Sequence, residues 1–283
     1  MNPFDMDKLY IDFIDKKNDE NFEERYTDNL GWYRASSAGF CSRKQYYESV
    51  LKLTPTLKPK PDGLMKMRLG TIFHNELQGA LKETEDLSIY YRSIYNIEDS
   101  NLVEVSKSIE DKEKNITDIQ KESWKVHVEG NIELKDLNVR GHFDVVFEGD
   151  KVFLYDIKTI GAYPWKCKFG YAHKNPDNSR AYPLQLGTYG LGVEETFGRL
   201  DGMYLYYYNK DTSITKTVEV PMIEKSKAYI YWEGINEEHS KGLPKLELGS
   251  SPEQQWACGF CSFRDVCKPD DFIKHNRDKG VWH

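Results

Sequence analysis

Residues 139–160 read VRGHFDVVFEGDKVFLYDIKTI. Two hydrophobic runs, Val139–Phe147 and Val152–Ile160, flank Glu148-Gly149-Asp150. Runs of this length, rich in β-branched and aromatic residues and parted by Gly and Asp, predict two strands joined by a turn. Each run carries charge: Asp144 in the first, Asp156 and Lys158 in the second. Residues two apart on a strand share a face, so Asp156 and Lys158 project together, and a carboxylate from the neighbouring strand can converge on them. Charges in so apolar a strand need compensation for their desolvation. Two carboxylates bind a hard divalent cation such as Mg²⁺ or Mn²⁺. A lysine beside them can stabilise developing phosphorane charge or position a water. These parts suit metal-assisted phosphodiester hydrolysis. The competing reading is a solvated strand face, and the rest of the chain bears on the choice.

Working outward, Val126–Leu134 alternates apolar and polar residues and predicts a strand ahead of the pair. Further upstream, Met65, Leu69, Ile72, Phe73, Leu77 and Leu81 recur at helical spacing and predict a helix over Met65–Thr84, with His74 in its middle. Residues 54–63 hold Pro55, Pro59, Pro61 and Gly63 and read as a loop. A short helix is expected over Arg43–Val50, with Ser37 as its cap. Downstream, Tyr182–Phe197 reads as a helix, Gly202–Tyr208 and Ile214–Val220 as a hairpin, and Lys225–His239 as a helix. Residues 85–125 are polar and weakly patterned, an insertion with one expected strand near Leu87–Ile94. The order of helices and strands argues for an α/β fold with one central mixed sheet.

The net charge of −7 argues against a general nucleic-acid coat, but the charge is uneven. Residues 1–30 carry nine acids against four bases, with a partial helical stripe of Phe4, Leu9, Phe13 and Ile14. Directly after the Asp-x-Lys motif, residues 151–180 carry six Lys/Arg against two Asp. Lys166, Lys168 and Arg180 are among the bases, and Tyr163, Trp165, Phe169 and Tyr171 are interleaved with them. Cations neutralise phosphates and aromatic rings stack on unpaired bases, so this loop is a candidate DNA contact. No apolar run approaches a membrane span, and the first residues lack a signal-peptide pattern, so a cytoplasmic location is the default expectation.

Five cysteines supply the second strong signal. Cys258, Cys261 and Cys267 lie within ten residues, Cys41 lies far upstream, and Cys167 stands alone in the basic loop. An odd count in a chain expected to be intracellular argues against a disulfide framework. Four thiolates, Cys41 with the C-terminal three, can hold structural zinc or a 4Fe–4S cluster. Zinc more often uses two close Cys-x2-Cys pairs, and the 1 + 3 split favours the cluster. Cys167 reads as a free thiol.

Taken in order, the motifs resemble the RecB-type branch of the PD-(D/E)XK nuclease superfamily. The likeness is greatest to its iron–sulfur members, the CRISPR-associated exonucleases and the nuclease domain of AddB-type helicase–nucleases. The matching features are Leu69-Gly70 through His74, Gly141 to Asp144, Asp156-Ile157-Lys158, Gln185 to Tyr189, and the segment Cys41-Ser-Arg-Lys-Gln-Tyr-Tyr47 with the three later cysteines. Two departures stand out: Phe143 occupies the position of the family's proline, and Asp156 takes the Asp option of the third motif.

The resemblance implies a restriction-endonuclease-like core whose mixed sheet is flanked by helices. A cluster module, spanning 251–283 at the C-terminal end, would join the two ends of the domain. The domain would run over 34–283 with the insertion inside it and an acidic helical leader at 1–33. His74, Asp144, Asp156 and the Ile157 carbonyl would ligate Mn²⁺ or Mg²⁺. Lys158 would orient or deprotonate the attacking water. Gln185 and Tyr189, one turn apart on a helix face, would hold DNA or Lys158. The implied substrate is DNA, single-stranded ends in particular, in recombination, repair or phage DNA metabolism, with a helicase, recombinase or CRISPR-adaptation partner. The alternative is a catalytically silent, DNA-binding nuclease-fold subunit. The full set of His74, Asp144, Asp156 and Lys158 speaks against it.

Overall fold

A computed structural model describes residues 5–27, 31–55, 57, 61–85, 87, 124–170, 181–246 and 255–268. The Leu87–Ile94 strand expectation, apart from Leu87, and the whole of 88–123 lie outside these residues, as does Arg180.

The strand pair read from 139–160 is present as β3 (Val139–Glu148) and β4 (Val152–Ile160). With β1 (Tyr33–Arg34), β2 (Lys125–Leu134), β5 (Gly202–Asn209) and β6 (Thr215–Val220) they form one mixed six-stranded sheet. β2 runs antiparallel along β3, β1 pairs in parallel with its start, and β4 pairs antiparallel with its end. β4 and β5 are parallel. A parallel pair requires a crossover, and the connection carries two helices, α4 (Ala162–Phe169) and α5 (Ala181–Phe197), in the stretch between them. The remaining long helices are α1 (Met6–Thr27), α3 (Pro61–Glu83) and α6 (Ile223–Ser240).

The main core lies between the sheet and the α5–α6 pair. Val146, Val152, Leu154, Met203, Leu205 and Tyr207 from the strands meet Leu186, Tyr189 and Val193 of α5 and Trp232 and Ile235 of α6. Burying an indole N–H needs a partner, and Trp232 Nε1 donates to Thr188 Oγ1 at 2.9 Å. Gly187 allows the helices to close, since a Cβ there would lie 2.3 Å from the Glu224 carbonyl oxygen. On β4 the alternate residues Phe153, Tyr155 and Ile157 line a cavity of about 470 Å³ shared with Leu77, Ala80 and Leu81 of α3. Phe73 stacks on Tyr208 with ring centres 3.8 Å apart. The sheet is thus flanked by helices on both faces. No helix among the described residues is long and apolar enough to cross a membrane.

Several sequence expectations need adjustment. α3 starts at Pro61, inside the stretch read as a loop, because proline is tolerated in a helix's first turn, where its missing N–H is no loss. The basic segment read as a loop contains α4, whose Pro164 likewise falls in the first turn. Ser37 does not cap the helix after it; it lies in a 3₁₀ turn (Ala35–Ser37) and its hydroxyl donates to the Arg34 carbonyl. That next helix is α2 (Ser42–Gln45), with Cys41 at its cap position, and it continues as a π-helical turn over Tyr46–Val50. Of the stripe expected on α1, Ile14 is buried while Leu9 and Phe13 are exposed.

Candidate active site

β3 and β4 pair from Glu148↔Val152 as far as Val145↔Tyr155 and then part. At the fork the ladder hydrogen bond is replaced by a side chain: Asp144 Oδ2 accepts the Ile157 N–H at 2.6 Å. Next to Ile157 on β4 stand Asp156, only 3% exposed, and Lys158, whose Nζ lies 2.6 Å from Asp156 Oδ2. Coulombic attraction to Asp156 is the larger part of this pairing, with a hydrogen bond beside it.

α3 brings His74 to the fork, with Nδ1 3.8 Å from Asp144 Oδ1. The glycine one turn earlier explains the close approach. A Cβ on Gly70 would lie 2.8 Å from Thr159 Oγ1 of β4. In an open helix Gly→Ala gains about 1 kcal/mol. Here Gly70→Ala is expected instead to cost about 1–3 kcal/mol and to weaken Mn²⁺ binding by pushing α3 and His74 off the sheet. Urea denaturation and Mn²⁺ titration of the variant check both. Gly141 serves β3 in the same way, since a Cβ there would lie 2.9 Å from Ala35 Cβ and 3.3 Å from the Tyr189 ring.

The electrostatics follow from burial at the fork. Desolvation, with repulsion from Asp156 second, pushes the Asp144 carboxyl up to about 8. Desolvation lowers His74, outweighing the pull of Asp156, so its imidazole is neutral and free to act as a ligand. For Lys158, burial would lower the pKa, but Asp156 and Asp144 outweigh it and the net shift is upward. Buried carboxylates of this kind are compensated by a cation.

His74, Asp144, Asp156, Ile157 and Lys158, separated by as much as 84 positions in the chain, therefore come together. Ligand atoms of His74, Asp144 and a third residue, Glu129 of β2, all lie within 4.8 Å of one another. The donor set of one imidazole and several carboxylates fits a hard divalent cation. The sequence reading missed Glu129. A Glu-Gly step inside a strand pattern was the available signal, because an isolated strand glycine marks a close approach of another group, here the Phe143 ring.

It also missed Tyr182, the α5 residue whose ring lies under Lys158, with Nζ 4.9 Å from its centre. Gln185 and Tyr189 do share a face of α5. Gln185 Nε2 donates to the Ser36 carbonyl at 2.8 Å, and Tyr189 also hydrogen-bonds at Ser36. Burial, then the nearby Asp156 and Asp144, raise the Tyr189 phenol well above its usual range. On α4, Lys166 is exposed and Trp165 is half-buried against Phe169. Lys168 Nζ lies 5.1 Å from the centre of the Tyr207 ring.

A second constellation lies where the N-terminal segment meets the C-terminal one. Cys41, Cys258, Cys261 and Cys267 line one cavity of about 90 Å³ together with Lys44, Tyr47 and Arg264. Cys167 lies on α4 and does not line that cavity. None of the five cysteines forms a disulfide. Burial pushes the Cys41 thiol up to about 11 and raises Cys261 as well. The N-terminal segment is also tied to α6 and the residues after it. Buried His239 takes Tyr33 Oη at 2.7 Å on Nδ1 and Ser42 Oγ at 3.0 Å on Nε2, and Arg43 Nε donates to the Pro244 carbonyl at 2.9 Å.

No curated protein matches the chain in sequence. Among solved structures, the crystal structure of SSO0001 is similar at 17% identity, with a TM-score of 0.48 over 92% of this chain and 96% of that one. The alkaline exonuclease LHK-Exo from Laribacter hongkongensis is similar at 12% identity, with a TM-score of 0.36 over 78% of this chain and 94% of that one. The sequence profile of the PD-(D/E)XK nuclease superfamily matches residues 33–268, a span that holds the fork, α3 and all four clustered cysteines, and the chain belongs to that superfamily.

Proposed function

We propose that this protein is a divalent-metal-dependent deoxyribonuclease that digests DNA from single-stranded ends and carries a structural 4Fe–4S cluster. The observation that carries the reading is the convergence of His74, Asp144, Asp156 and Lys158 on one strand fork. A Mn²⁺ or Mg²⁺ ion held by His74, Asp144, Asp156 and the Ile157 carbonyl would polarise the scissile phosphate and lower the pKa of a nearby water. A histidine ligand tilts the choice toward Mn²⁺.

The chain's own groups do the rest. Lys158, flanked by two carboxylates, keeps its proton. It would therefore stabilise charge on the phosphate and orient the attacking water rather than deprotonate it. The face of Tyr182 supports the lysine through a cation–π contact and limits its rotamers. Gln185 and Tyr189 would act one step back, by holding the Ser36 turn against α5. Lys166, Lys168 and Trp165, on the helix that leaves β4 just after Lys158, and Arg180 beyond it would guide the DNA strand.

The cluster rests on the four thiols around one cavity. Zinc more often uses two close Cys-x2-Cys pairs, and the split of one upstream and three downstream cysteines favours a cluster. Lys44 and Arg264 in the wall would offset the negative charge of thiolate ligands. The exonucleolytic mode and the single-strand preference rest on the motif order, which resembles that of the RecB-type branch. A helicase, recombinase or CRISPR-adaptation complex is the partner class that this order implies.

Linear and circular single-stranded DNA of equal length, incubated with the protein and Mn²⁺, test the mode. Linear DNA is expected to be lost about 100-fold faster, because only it offers an end to position. Equal loss of circles would convert the assignment to an endonuclease.

A further inference from the structure

Glu129 stands directly across the ladder from Asp144. β2 and β3 pair Val128 with Val145 and Gly130 with Phe143, and the residues between those pairs are Glu129 and Asp144. Glu129 has a φ of +55°, a left-handed conformation that a non-glycine residue in a strand adopts only where its surroundings impose it. The distortion shows on the partner strand. Phe143 and Val146, three positions apart, both join the main core, which strict alternation forbids. Neighbouring Gly130 makes room for it, since a Cβ there would lie 2.1 Å from the Phe143 ring. Strain of this kind gathers at functional sites.

The side chain that the strain aims is also held. Gln78 Nε2 donates to Glu129 Oε1 at 2.7 Å, and Gln78 itself is 5% exposed. Gln78 follows His74 by one helical turn, so α3 presents an imidazole with one turn and fixes a carboxylate with the next. The second oxygen of Glu129 remains for a ligand, and ligand atoms of His74, Glu129 and Asp144 lie within 4.8 Å of one another; buried Asp156, paired with Lys158, lies at the same fork.

We propose that Glu129 is a further ligand of the divalent cation, positioned by Gln78, so that the ion is held by His74, Glu129, Asp144 and Asp156. This deepens the nuclease reading and rests on it. The chemistry favours it: three carboxylates less the Lys158 ammonium leave two negative charges, which balance a divalent ion, whereas the site without Glu129 leaves one. Gln78 is a positioning residue, acting only through Glu129.

The test is Mn²⁺ affinity, read as free Mn²⁺ by electron paramagnetic resonance, for the wild type and for Glu129→Gln, Glu129→Gly, Gln78→Leu and Asp144→Asn. Loss of the ligand in either Glu129 variant is expected to weaken binding about 100-fold, and Gln78→Leu about tenfold. Glycine accepts a positive φ without strain, so metal-free Glu129→Gly should melt no lower than wild type, which separates lost coordination from lost fold. Adding Gln78→Leu to Glu129→Gly should cost nothing more, since the glutamine then has no carboxylate to orient. Wild-type affinity in both Glu129 variants, with binding lost in Asp144→Asn, would overturn the role of Glu129 and leave the nuclease reading standing. Wild-type affinity in Asp144→Asn as well would remove the metal site itself. Weakening in Gln78→Leu that persists on top of Glu129→Gly would make Gln78 merely structural.

Discussion

Replacing Lys158 with methionine is expected to slow phosphodiester hydrolysis by about 10²–10³-fold, the usual loss when one preorganised donor to developing charge is removed. Methionine keeps an unbranched stem against Tyr182 and removes only the charge. DNA affinity should stay within a few-fold of wild type, because the phosphate-neutralising bases on α4 are untouched. The same substitution has a second consequence that a surface lysine would not produce. Lys158 offsets the buried Asp156 carboxylate, with Nζ 2.6 Å from its Oδ2. Its removal leaves that charge uncompensated, at a cost of about 3–5 kcal/mol in the metal-free protein. Mn²⁺ should restore much of that loss by taking over as counter-charge. Single-turnover kinetics and urea denaturation with and without Mn²⁺ measure the two effects. A variant that cuts at the wild-type rate would remove Lys158 from the chemistry.

Cys258→Ser is expected to abolish absorbance near 400 nm, roughly where thiolate-ligated clusters absorb, and to destabilise the fold severely. Cys258 is the most buried of the four thiols, and the ring it completes joins residue 41 to the C-terminal segment. Opening so long a loop costs on the order of 5 kcal/mol by chain entropy alone, comparable to the whole stability of many domains. The contacts of His239 with Tyr33 and Ser42 and of Arg43 with Pro244 remain, so the core should persist in a loosened form. Cys167→Ser, on α4 outside the ring, should leave both absorbance and melting temperature unchanged. Absorbance and thermal melts of anaerobically purified protein check both variants. A colourless wild type with one bound zinc would replace the cluster with a zinc staple.

The parts of this site that could be read in the sequence are those whose geometry is local. Strand alternation places Asp156 and Lys158 on one face, and helical spacing places Gln185 and Tyr189 together, whatever the rest of the fold does. The cysteine spacing likewise groups the C-terminal three before the chain is folded, and with Cys41 they line one cavity. What such periodicities do not carry is the partner across space. The shared face of Gln185 and Tyr189 meets Ser36, about 150 positions away in the chain, and Lys158 meets Tyr182. Glu129 lay inside a correctly expected strand. It joins the site only because β2 pairs with β3 in the register that sets it opposite Asp144, and because its backbone leaves the β region there. A pattern that assumes regular alternation cannot report the place where alternation fails. The same holds for Pro61 and Pro164, where position in the first turn outweighs the helix-breaking reputation of the residue.

The central claim is that the fork between β3 and β4 hydrolyses DNA with a divalent metal. The most direct measurement is digestion of end-labelled linear single-stranded DNA by the purified protein in Mn²⁺, beside the same reaction in EDTA and beside Asp144→Asn in Mn²⁺. The account predicts progressive loss of DNA in the first reaction and intact DNA in the other two. Intact DNA in all three, with the protein folded and binding DNA, would contradict it and assign the fold a DNA-binding role without turnover.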